Sequence, residues 1–486
     1  MSKLKTQAVS GILWTTIRTV VTSLFGPLLL LVKARYLSPA EFGVMAIINI
    51  FISLINVIEN FGFSTAVIQK DEVTKDERSS LFFFQILFCV FLGLLIIFLS
   101  PIFASLFDMG ALQSLLPILS IIIFLNGPVL LFTAFLEKEF HFKELSIIQI
   151  IREASLLVFT SLLLILGWGL TGIVVGQVIA VAIMAILIVY VAYRNDLLHL
   201  RFHFSFKEIT PFIKFGIFIA GKQLMTQMTH HIDELIIGYF LSAEVLGLYH
   251  FAKNLLNRLR SLITTSFAKV LFPLLSKVKN DLSKLNRVYS MISKYIGVFA
   301  FPIFVGIALT ANLFLPVFFG QEWIESEDFF IILSLAYIPY ILTANLATSL
   351  LYSVNKPNQV LYTDIVVNII YVLFLLLFSW LELGIYLIVA LYAIYLVAKT
   401  TTLQVLTSLQ LHSTFKSYLS LFKYTVLATM VMSLAVLSLQ LVLTNVDFLV
   451  IELVGSIIVG AVVYLIVYYL LDKQTLIGIK DLVLRK

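Results

Sequence analysis

Residues 79–107 read SSLFFFQILFCVFLGLLIIFLSPIFASLF, a run of 29 positions without a charged side chain. An α-helix needs about 20 apolar residues to cross the hydrocarbon core of a bilayer, so this run is long enough. The other structure that satisfies every backbone hydrogen bond in lipid is a closed barrel, which shows alternating strands of about ten residues. The stretch therefore predicts a transmembrane α-helix.

The same pattern recurs along the whole chain. Of its 486 residues, 60% are hydrophobic and 12% are charged, whereas soluble domains are roughly 45–50% apolar and about 25% charged. We therefore predict an all-α integral membrane protein with about 14 transmembrane helices. The predicted spans are residues 9–33, 41–62, 79–107, 112–136, 147–167, 169–193, 211–240, 244–275, 288–316, 327–353, 359–380, 383–411, 420–443 and 447–471.

The distribution of lysine and arginine predicts the orientation, because cytoplasmic loops carry an excess of both. One set of loops is rich in them, whereas the opposite set has only Lys33 and Arg35 and includes the acidic segment 321–328. Both termini are therefore expected in the cytoplasm, with the first apolar run kept as a span. These loops also account for the net charge of +6, so no nucleic-acid partner is expected. A single cysteine, Cys89, excludes a disulfide framework.

Two segments match at an offset of 204 residues: 36–44 (YLSPAEFGV) and 240–248 (FLSAEVLGL). Leu, Ser and Gly fall in register, and each segment forms the turn between the first two spans of its half. Because the first span pairs with the seventh and the second with the eighth, both halves run in the same direction, which is a parallel repeat. Coincidence in an apolar chain is the alternative, although polar positions correspond as well.

Those polar positions form one helical face in each hairpin. In span 2, spacings of 4, 3 and 4 put four polar side chains on one face: Asn49, Ser53, Asn56 and Asn60. The same offset gives a matching face in span 8: Lys253, Asn257, Arg260 and Thr264. A polar face inside a membrane contacts protein or water rather than lipid. Two such faces predict a central hydrophilic cleft between two lobes.

Five cations lie in these predicted spans: Arg18, Lys222, Lys253, Arg258 and Arg260. Cations in apolar helices are costly without partners, and Arg18, Lys222 and Arg260 have no acid close in sequence. A cationic cleft suits a phosphate group, which arginine binds in bidentate fashion and lysine as a point charge. The alternatives are interhelical hydrogen bonding for the polar residues and snorkelling or pairing for the cations, with Asp233 as a partner for Lys253.

Several segments together resemble one family: 34–43 (ARYLSPAEFG), 62–70 (GFSTAVIQK), 233–238, 246–249 with Ala252, 271–273 (LFP) and 320–323 (GQEW). The chain resembles the polysaccharide flippases, in the branch of colanic-acid and teichuronic-acid exporters. The resemblance runs from about residue 8 to residue 325, and the hydropathy fits to the end. It implies membership of the multidrug/oligosaccharidyl-lipid/polysaccharide exporter superfamily.

That resemblance implies two six-helix lobes, 1–200 and 201–412, followed by two additional helices and a cytoplasmic tail in 413–486. It implies a transporter of the bacterial inner membrane, not an enzyme. This transporter would flip undecaprenyl-diphosphate-linked oligosaccharide repeat units to the outer leaflet by alternating access, for surface polysaccharide such as lipopolysaccharide. The expected partners are this substrate, membrane lipids, H⁺ or Na⁺, and the polymerase machinery. A monomer without a cofactor or metal is expected.

Other patterns carry weaker predictions. The glycine-rich residues 167–172 (GWGLTG) lie in a short turn without the βαβ unit of a dinucleotide site. His199 and His203 favour an interfacial segment over a metal site. Asp233 and Asp364 are candidates for ion coupling. Pro27 is a candidate hinge, because proline removes a helix hydrogen bond.

Two other functions compete with flipping. A cation-coupled multidrug exporter of the same superfamily is the alternative, but such exporters need buried carboxylates in a lobe, and a cationic cleft repels cationic drugs. Span 1 carries Arg18 and no acid. A membrane-embedded polymerase or ligase would be expected to use a sizeable outer loop, and the outer loops here are short.

Overall fold

The computed structural model describes residues 2–198, 200–278, 280–443 and 448–484, with side chains described outside 2–8, 265–273 and 479–484. His199 lies outside the described residues. The described chain is helical, with connecting turns. The helices are α1 (Ser2–Tyr36), α2 (Pro39–Asn60), α3 (Phe63–Gln69), α4 (Lys75–Leu106), α5 (Ala111–Lys138), α6 (Phe142–Ile165), α7 (Gly169–Arg194), α8 (Phe206–Phe240), α9 (Ala243–Val278), α10 (Leu282–Phe314), α11 (Glu327–Ser353), α12 (Pro357–Trp380), α13 (Ile385–Gln410), α14 (Phe415–Ser420), α15 (Lys423–Leu443) and α16 (Leu449–Leu484).

Twelve helical stretches of the described chain are long and apolar enough to cross a membrane. The chain is therefore a multi-pass membrane protein, and the predicted all-helical class is confirmed. The two remaining long helices are α8 and α9, with 35 and 36 residues. They are long enough to span a bilayer at 1.5 Å per residue, but they carry four of the five predicted cations and are not among the twelve apolar stretches.

The start of α2 shows how local sequence sets a helix boundary. Ser38 has extended backbone, and its hydroxyl accepts from the backbone N–H of Glu41 at 3.3 Å. The Glu41 carboxylate accepts in return from the backbone N–H of Ser38 at 2.9 Å. This capping box, with Pro39 at the first helical position, satisfies donors that no helix carbonyl reaches. The predicted turn at 36–44 therefore ends α1 and begins α2.

The chain divides into two compact units, Met1–Gly247 and Leu248–Lys486. In the first unit, α4 packs on α5, α6 on α7, α5 on α7 and α1 on α6, while α2 and α3 lie against α8. A core cluster joins several of these helices, including Val67 of α3, Phe132 and Phe135 of α5, and Ile188 of α7. Placing α2 between α4, α5 and α8 buries one side of its polar segment and leaves Asn56 exposed.

A reciprocal backbone approach joins the two turns of the predicted repeat within the first unit. A Cβ on Gly43 would lie 2.6 Å from the carbonyl carbon of Ala243, and a Cβ on Gly247 would lie 2.7 Å from that of Pro39. These four positions are equivalent at the offset of 204, because 39 + 204 = 243 and 43 + 204 = 247. We call this approach the glycine contact. Only glycine allows two backbones to come this close.

The second unit is built around α10, α11 and α13. Helix α11 packs on both α10 and α13, and α12 packs on α13. Beside α11, the short 3₁₀ segment Gln321–Ser326 buries Trp323 completely, with its ring centroid 4.1 Å from that of Phe251 in α9. The tryptophan of the GQEW motif is therefore a packing residue.

The two C-terminal helices pack on each other and on α10. The Tyr464 hydroxyl in α16 donates to the Val298 carbonyl of α10 at 2.8 Å. Farther along, α16 bends at Asp472, and Lys294 of α10 pairs with the Asp472 carboxylate at 2.5 Å. The added helices are thus held to the second unit by specific polar contacts as well as by apolar packing.

Candidate functional site

The predicted polar face of α2 lies in the first unit. Asn49, Ser53 and Asn60 are half-buried, and Asn56 is exposed. Two of them use their side chains locally. The Ser53 hydroxyl donates to the Ile50 carbonyl at 2.8 Å, and the Asn60 side-chain oxygen accepts from the backbone N–H of Ser64 at 3.2 Å. Asn60 therefore helps to join α2 to α3, a structural role beside the predicted one.

Lys222 lies midway along α8 with an exposed side chain. It lines an open cavity of about 580 Å³ within the first unit, together with Val57, Phe218, Ile219, Gln223, Thr226 and Gln227. Three of these neighbours offer hydroxyl or amide groups. No acid pairs with Lys222 among the described residues, which agrees with the sequence reasoning. An unneutralised ammonium group beside hydroxyl and amide groups can bind an anion.

Arg18 differs from Lys222 because it has an acid nearby. The half-buried Arg18 in α1 interacts electrostatically with Glu137 at the end of α5. Spacing along the chain could not predict this pair, because Glu137 is 119 residues from Arg18 (137 − 18). This attraction stabilises the charge of Arg18, so its guanidinium does not need a substrate anion for neutralisation.

The candidate hinge, Pro27, lies inside α1, which continues as one helix from Ser2 to Tyr36. Its role in motion stays a prediction.

In the second unit, the cations of α9 lie against aromatic rings. Lys253 is 5% exposed, and its ammonium nitrogen lies 5.6 Å from the ring centre of Tyr249 and 5.2 Å from that of Tyr392. The Arg260 guanidinium lies 5.2 Å from the ring centre of Tyr340. Such distances allow cation–π attraction, which partly replaces the water that a buried cation loses.

Arg258 and Arg260 have different environments. Arg258 donates through Nε to the Asn254 side-chain oxygen at 2.7 Å. Arg260 has no acid partner in the described part of the chain, and its Nε has no hydrogen-bond partner there. The last two predicted positions are the half-buried Asn257 and the buried Thr264, whose hydroxyl donates to the Arg260 carbonyl at 3.1 Å. Arg260 is therefore the predicted cation of this unit that is best placed to receive an anion.

A group of tyrosines that the sequence reasoning missed surrounds these cations. The tyrosine cluster comprises Tyr249, Tyr337, Tyr340, Tyr371, Tyr392 and Tyr395. The rings of Tyr371 and Tyr395 stack with centroids 4.5 Å apart, and those of Tyr392 and Tyr395 stack at 5.8 Å. Tyrosine offers both an apolar face and a hydroxyl, a combination that suits a sugar ring.

The two candidate coupling acids have distinct surroundings. Asp364 of α12 forms an ion pair with Lys399 of α13 at 2.8 Å. The sequence reasoning did not consider Lys399, although Tyr392, Tyr395 and Lys399 have the 3- and 4-residue spacing of one helical face. Asp233 of α8 is 1% exposed, beside the buried Glu234, whose carboxylate lies 3.6 Å from the His231 ring nitrogen.

A buried acid in the first unit was also missed. Glu59 of α2 is 1% exposed, and one carboxylate oxygen accepts from the Asn126 side-chain amide of α5 at 2.8 Å. The signal was present in the sequence, since Glu59 stands ten positions from Asn49 within the same predicted span.

The fold and these buried charged groups together define a polytopic α-helical membrane protein that retains cations inside long helices. A sequence profile for polysaccharide biosynthesis proteins matches residues 32–328, and the chain belongs to this family. The predicted resemblance is confirmed.

Curated relatives include a teichuronic acid biosynthesis protein and a lipopolysaccharide biosynthesis protein. The teichuronic acid biosynthesis protein TuaB of Bacillus subtilis (strain 168) is 25% identical over 372 residues, 76% of each chain. The lipopolysaccharide biosynthesis protein WzxC of Escherichia coli (strain K12) is 24% identical over 325 residues, 66% of this chain and 65% of the relative. Among solved structures, lipid II flippase MurJ in an inward closed conformation has a TM-score of 0.74 at 17% identity, covering 96% of this chain and 100% of MurJ.

Proposed function

We propose that this protein flips lipid-linked oligosaccharide across the bacterial inner membrane for surface polysaccharide biosynthesis. The family and the named relatives support this function, since two of them belong to teichuronic acid and lipopolysaccharide biosynthesis. The fold of a lipid II flippase over nearly the whole chain supports the same reaction class. The substrate class is undecaprenyl-diphosphate-linked repeat units, moved from the cytoplasmic to the outer leaflet by alternating access.

The proposed topology has 14 spans, which adds α8 and α9 to the twelve apolar helices. It comprises a six-helix lobe in 1–200, a second in 201–412 and two added helices in 413–486, with both termini in the cytoplasm. The reciprocal glycine contact supports the parallel repeat, because equivalent residues of two repeats meet in equivalent ways. The lengths of α8 and α9 support their inclusion as spans.

The observation that carries the proposal is that Lys222 and Arg260 lie in long helices of a membrane protein without an acid partner in the described chain. Each unit thus has a cation available for an anionic group. A diphosphate fits this chemistry, because it offers several acceptor oxygens to ammonium and guanidinium groups. Within the second unit, Lys253 and Arg258 would add positive potential near Arg260, whereas Arg18 of the first unit already has Glu137 nearby. The half-buried members of the tyrosine cluster, Tyr340, Tyr392 and Tyr395, offer ring surface to the sugars.

An apolar cavity of about 420 Å³ in the second unit suits the lipid portion of such a substrate. It lies among α10, α11, α13, α14 and α15, and its lining includes Phe301, Leu335, Leu342, Phe415, Phe422 and Val426. Isoprenoid chains bind through buried apolar area.

The test is a depletion and complementation experiment in the host. Depleting the protein is expected to make lipid-linked oligosaccharide accumulate on the cytoplasmic face of the membrane and to stop surface polysaccharide. Wild-type protein and Lys284→Ala should restore the polymer, because the Lys284 side chain is 71% exposed and pairs with Asp281 at the start of α10. Lys222→Ala and Arg260→Ala should not restore it at equal membrane levels. Normal polymer from both variants would remove these cations from the mechanism, and unchanged oligosaccharide distribution on depletion would refute flipping.

The same charges argue against a multidrug exporter of cationic compounds. Lys222 and Arg260 would repel such compounds, and Asp364, one of the acids predicted for ion coupling, is paired with Lys399. The coupling ion and the polymerase partner stay predictions.

A further inference from the structure

One end of the hairpin formed by α15 and α16 carries exposed lysines that the proposed function does not use. The two helices pack along each other, and a Cβ on Gly460 would lie 3.1 Å from the Val436 side chain. This contact sets the antiparallel register. Thirteen residues farther along α16 and thirteen residues back along α15 lie Lys473 and Lys423 (460 + 13 and 436 − 13). The register therefore places the two lysines at the same level, at the same end of the hairpin.

Each of these lysines lies beside a tyrosine ring. The Lys423 ammonium nitrogen is 4.5 Å from the ring centre of Tyr424, and that of Lys473 is 5.3 Å from the ring centre of Tyr469. Tyrosine has an apolar body and a polar tip, and it is enriched where a membrane meets water. The two pairs thus indicate that this end of the hairpin lies at the level of the lipid headgroups.

The positive charge at this end is not neutralised by the described part of the chain. Residues 411–426 (LHSTFKSYLSLFKYTV) contain Lys416 and Lys423 but no acid. Asp472, the acid next to Lys473, is already bound on the other side, because Lys294 pairs with it at 2.5 Å and the Thr475 hydroxyl donates to it at 2.8 Å. Among the described residues, Lys423 and Lys473 have no acid partner. Both ammonium groups are therefore available to an anion.

A lipid-facing apolar stripe leads away from each lysine. Both helices are apolar enough to cross a membrane. On α15, spacings of 4, 3, 4 and 3 residues from Lys423 reach four exposed apolar side chains: Leu427, Met430, Leu434 and Leu437. On α16, spacings of 3, 4 and 4 residues back from Lys473 reach three more: Leu470, Ile466 and Val462. Such spacing keeps each set on one helical face. Each lysine therefore stands at the headgroup end of a surface that contacts hydrocarbon chains.

We propose that this end of the hairpin is a binding site for an anionic phospholipid of the bilayer. The lipid phosphate accepts from the ammonium groups of Lys423 and Lys473, and the acyl chains lie along the two apolar stripes. Lys416 of α14 adds positive charge nearby in the sequence. A zwitterionic headgroup brings its own cation, which the lysines repel, so the site selects lipids with a net negative charge. The inference goes beyond the proposed function, since it concerns a lipid of the membrane rather than the cargo.

The test measures which lipid lies beside the site. Bimane is attached at Leu427→Cys in a Cys89→Ser background of the full-length protein, reconstituted in phosphatidylcholine with increasing amounts of dibrominated phosphatidylglycerol. Bromine quenches a label only on close contact, so the quenching curve reports the lipid beside position 427. We expect quenching to saturate at a low mole fraction of dibrominated phosphatidylglycerol. Dibrominated phosphatidylcholine should instead quench in proportion to its share of the bilayer.

Charge variants connect the preference to the two lysines. Lys423→Gln and Lys473→Gln should each raise the half-saturating mole fraction about fivefold, because one basic residue near the headgroups contributes about that much to binding. Lys423→Arg should keep the wild-type curve, and so should Lys284→Gln, because Lys284 pairs with Asp281. Identical curves for the two brominated lipids, or a preference that survives in both glutamine variants, would overturn the proposal.

Two further measurements separate this site from general lipid contact and from the cargo. A label at Leu87→Cys, an equally exposed position on α4, should show no preference for phosphatidylglycerol, and an equal preference there would overturn the proposal. Undecaprenyl diphosphate should displace dibrominated phosphatidylglycerol no better than unlabelled phosphatidylglycerol does. Displacement at a much lower mole fraction would assign the site to the cargo and overturn the phospholipid assignment. None of these measurements requires flipping, so a failure of the proposed function leaves a distinct result.

Discussion

The glycine contact offers a sharp perturbation, namely Gly43→Ala. The added Cβ would lie 2.6 Å from the Ala243 carbonyl carbon and 3.0 Å from its Cα, both of which are backbone atoms that cannot rotate away. Carbon atoms pack best at about 3.5–4.0 Å, so the two backbones must separate by about 1 Å. We expect α2 and the start of α9 to part in this variant.

The size of the effect follows from the cost of overpacking. Forcing an extra carbon into a tight contact costs about 1–3 kcal/mol, which corresponds to a roughly 5- to 150-fold change in a population. Gly247→Ala should act similarly, because its Cβ would lie 2.7 Å from the Pro39 carbonyl carbon. The double variant should be destabilised by less than the sum of the two single variants, since separating the backbones once relieves both overlaps.

Pulsed electron–electron double resonance between two spin labels measures this separation directly. Labels on cysteines at Tyr36 and Phe240, in a background with Cys89 replaced, report the distance between the two turns. The longer distances should gain population in Gly43→Ala and Gly247→Ala. The control is Gly306→Ala, because nothing lies within 4 Å of a Cβ at that position. Superimposable distance distributions in Gly43→Ala and the wild-type protein would refute the reasoning.

Three further predictions follow from the same structure. Ser38→Ala removes the α2 cap and should lower the free energy of unfolding by about 0.5–2 kcal/mol, which thermal denaturation in detergent will measure; an unchanged melting temperature would contradict it. The Ser80 hydroxyl donates to Glu208 at 2.7 Å and holds the pKa of that carboxyl below its usual range. This contribution to stability is therefore fully present above about pH 4.3, the pKa of the carboxyl in the unfolded chain, and is lost as pH falls through the lower pKa of the folded protein. Ser80→Ala should reduce the loss of melting temperature at acid pH. Parallel plots of melting temperature against pH for the variant and the wild-type protein would count against this prediction. Tyr392→Ala should destabilise the second unit by at least about 1 kcal/mol through loss of the ring beside Lys253, whereas Tyr392→Phe, which keeps the ring, should lose less; equal melting of the Ala and Phe variants would exclude the ring contact.

Local sequence patterns predicted the long helices, although not the short helices α3 and α14, and some helix ends differ from the prediction by several residues. The apolar run at 79–107 forms α4 up to Leu106, with Phe107 as its C-cap, and the SPAE sequence at 38–41 begins α2 through its capping box. These features depend on side chains within a few residues of each other, so periodicity and capping rules describe them. The two polar helices, α8 and α9, carry four of the five predicted cations and are not among the twelve apolar stretches, so their place as spans stays a prediction.

Pairs of side chains that are distant along the chain could not be predicted from the sequence. Glu137 reaches Arg18 from another helix, and Lys399 reaches Asp364 across a separation of 35 residues (399 − 364). Sequence spacing predicts which side chains share a helical face, but not which faces meet. The tyrosine cluster forms for the same reason from several helices, including α9, α11, α12 and α13. Tyr392 and Tyr395 share one face of α13 by their spacing, but the other rings of the cluster come from different helices, which spacing does not bring together.

Glu59 gives a related lesson about burial. In the sequence it stands one position from the end of α2, where a charge usually reaches water. The structure buries it because α3 follows at once and α2 packs against both α4 and α5. A helix end inside a bundle can be as inaccessible to water as a helix centre. Burial of this kind depends on packing rather than on position in the chain.

The central claim is that Lys222 in the first unit and Arg260 in the second unit are each available to an anionic group of a lipid-linked substrate, as we propose for a diphosphate. Binding of radiolabelled undecaprenyl diphosphate to the nanodisc-reconstituted protein tests it most directly. Hydrogen bonds to charged groups contribute about 1.5–3 kcal/mol, so Lys222→Ala and Arg260→Ala should each raise the Kd by roughly tenfold or more. Lys284→Ala should match the wild-type protein. Equal Kd values for all four proteins would contradict the claim.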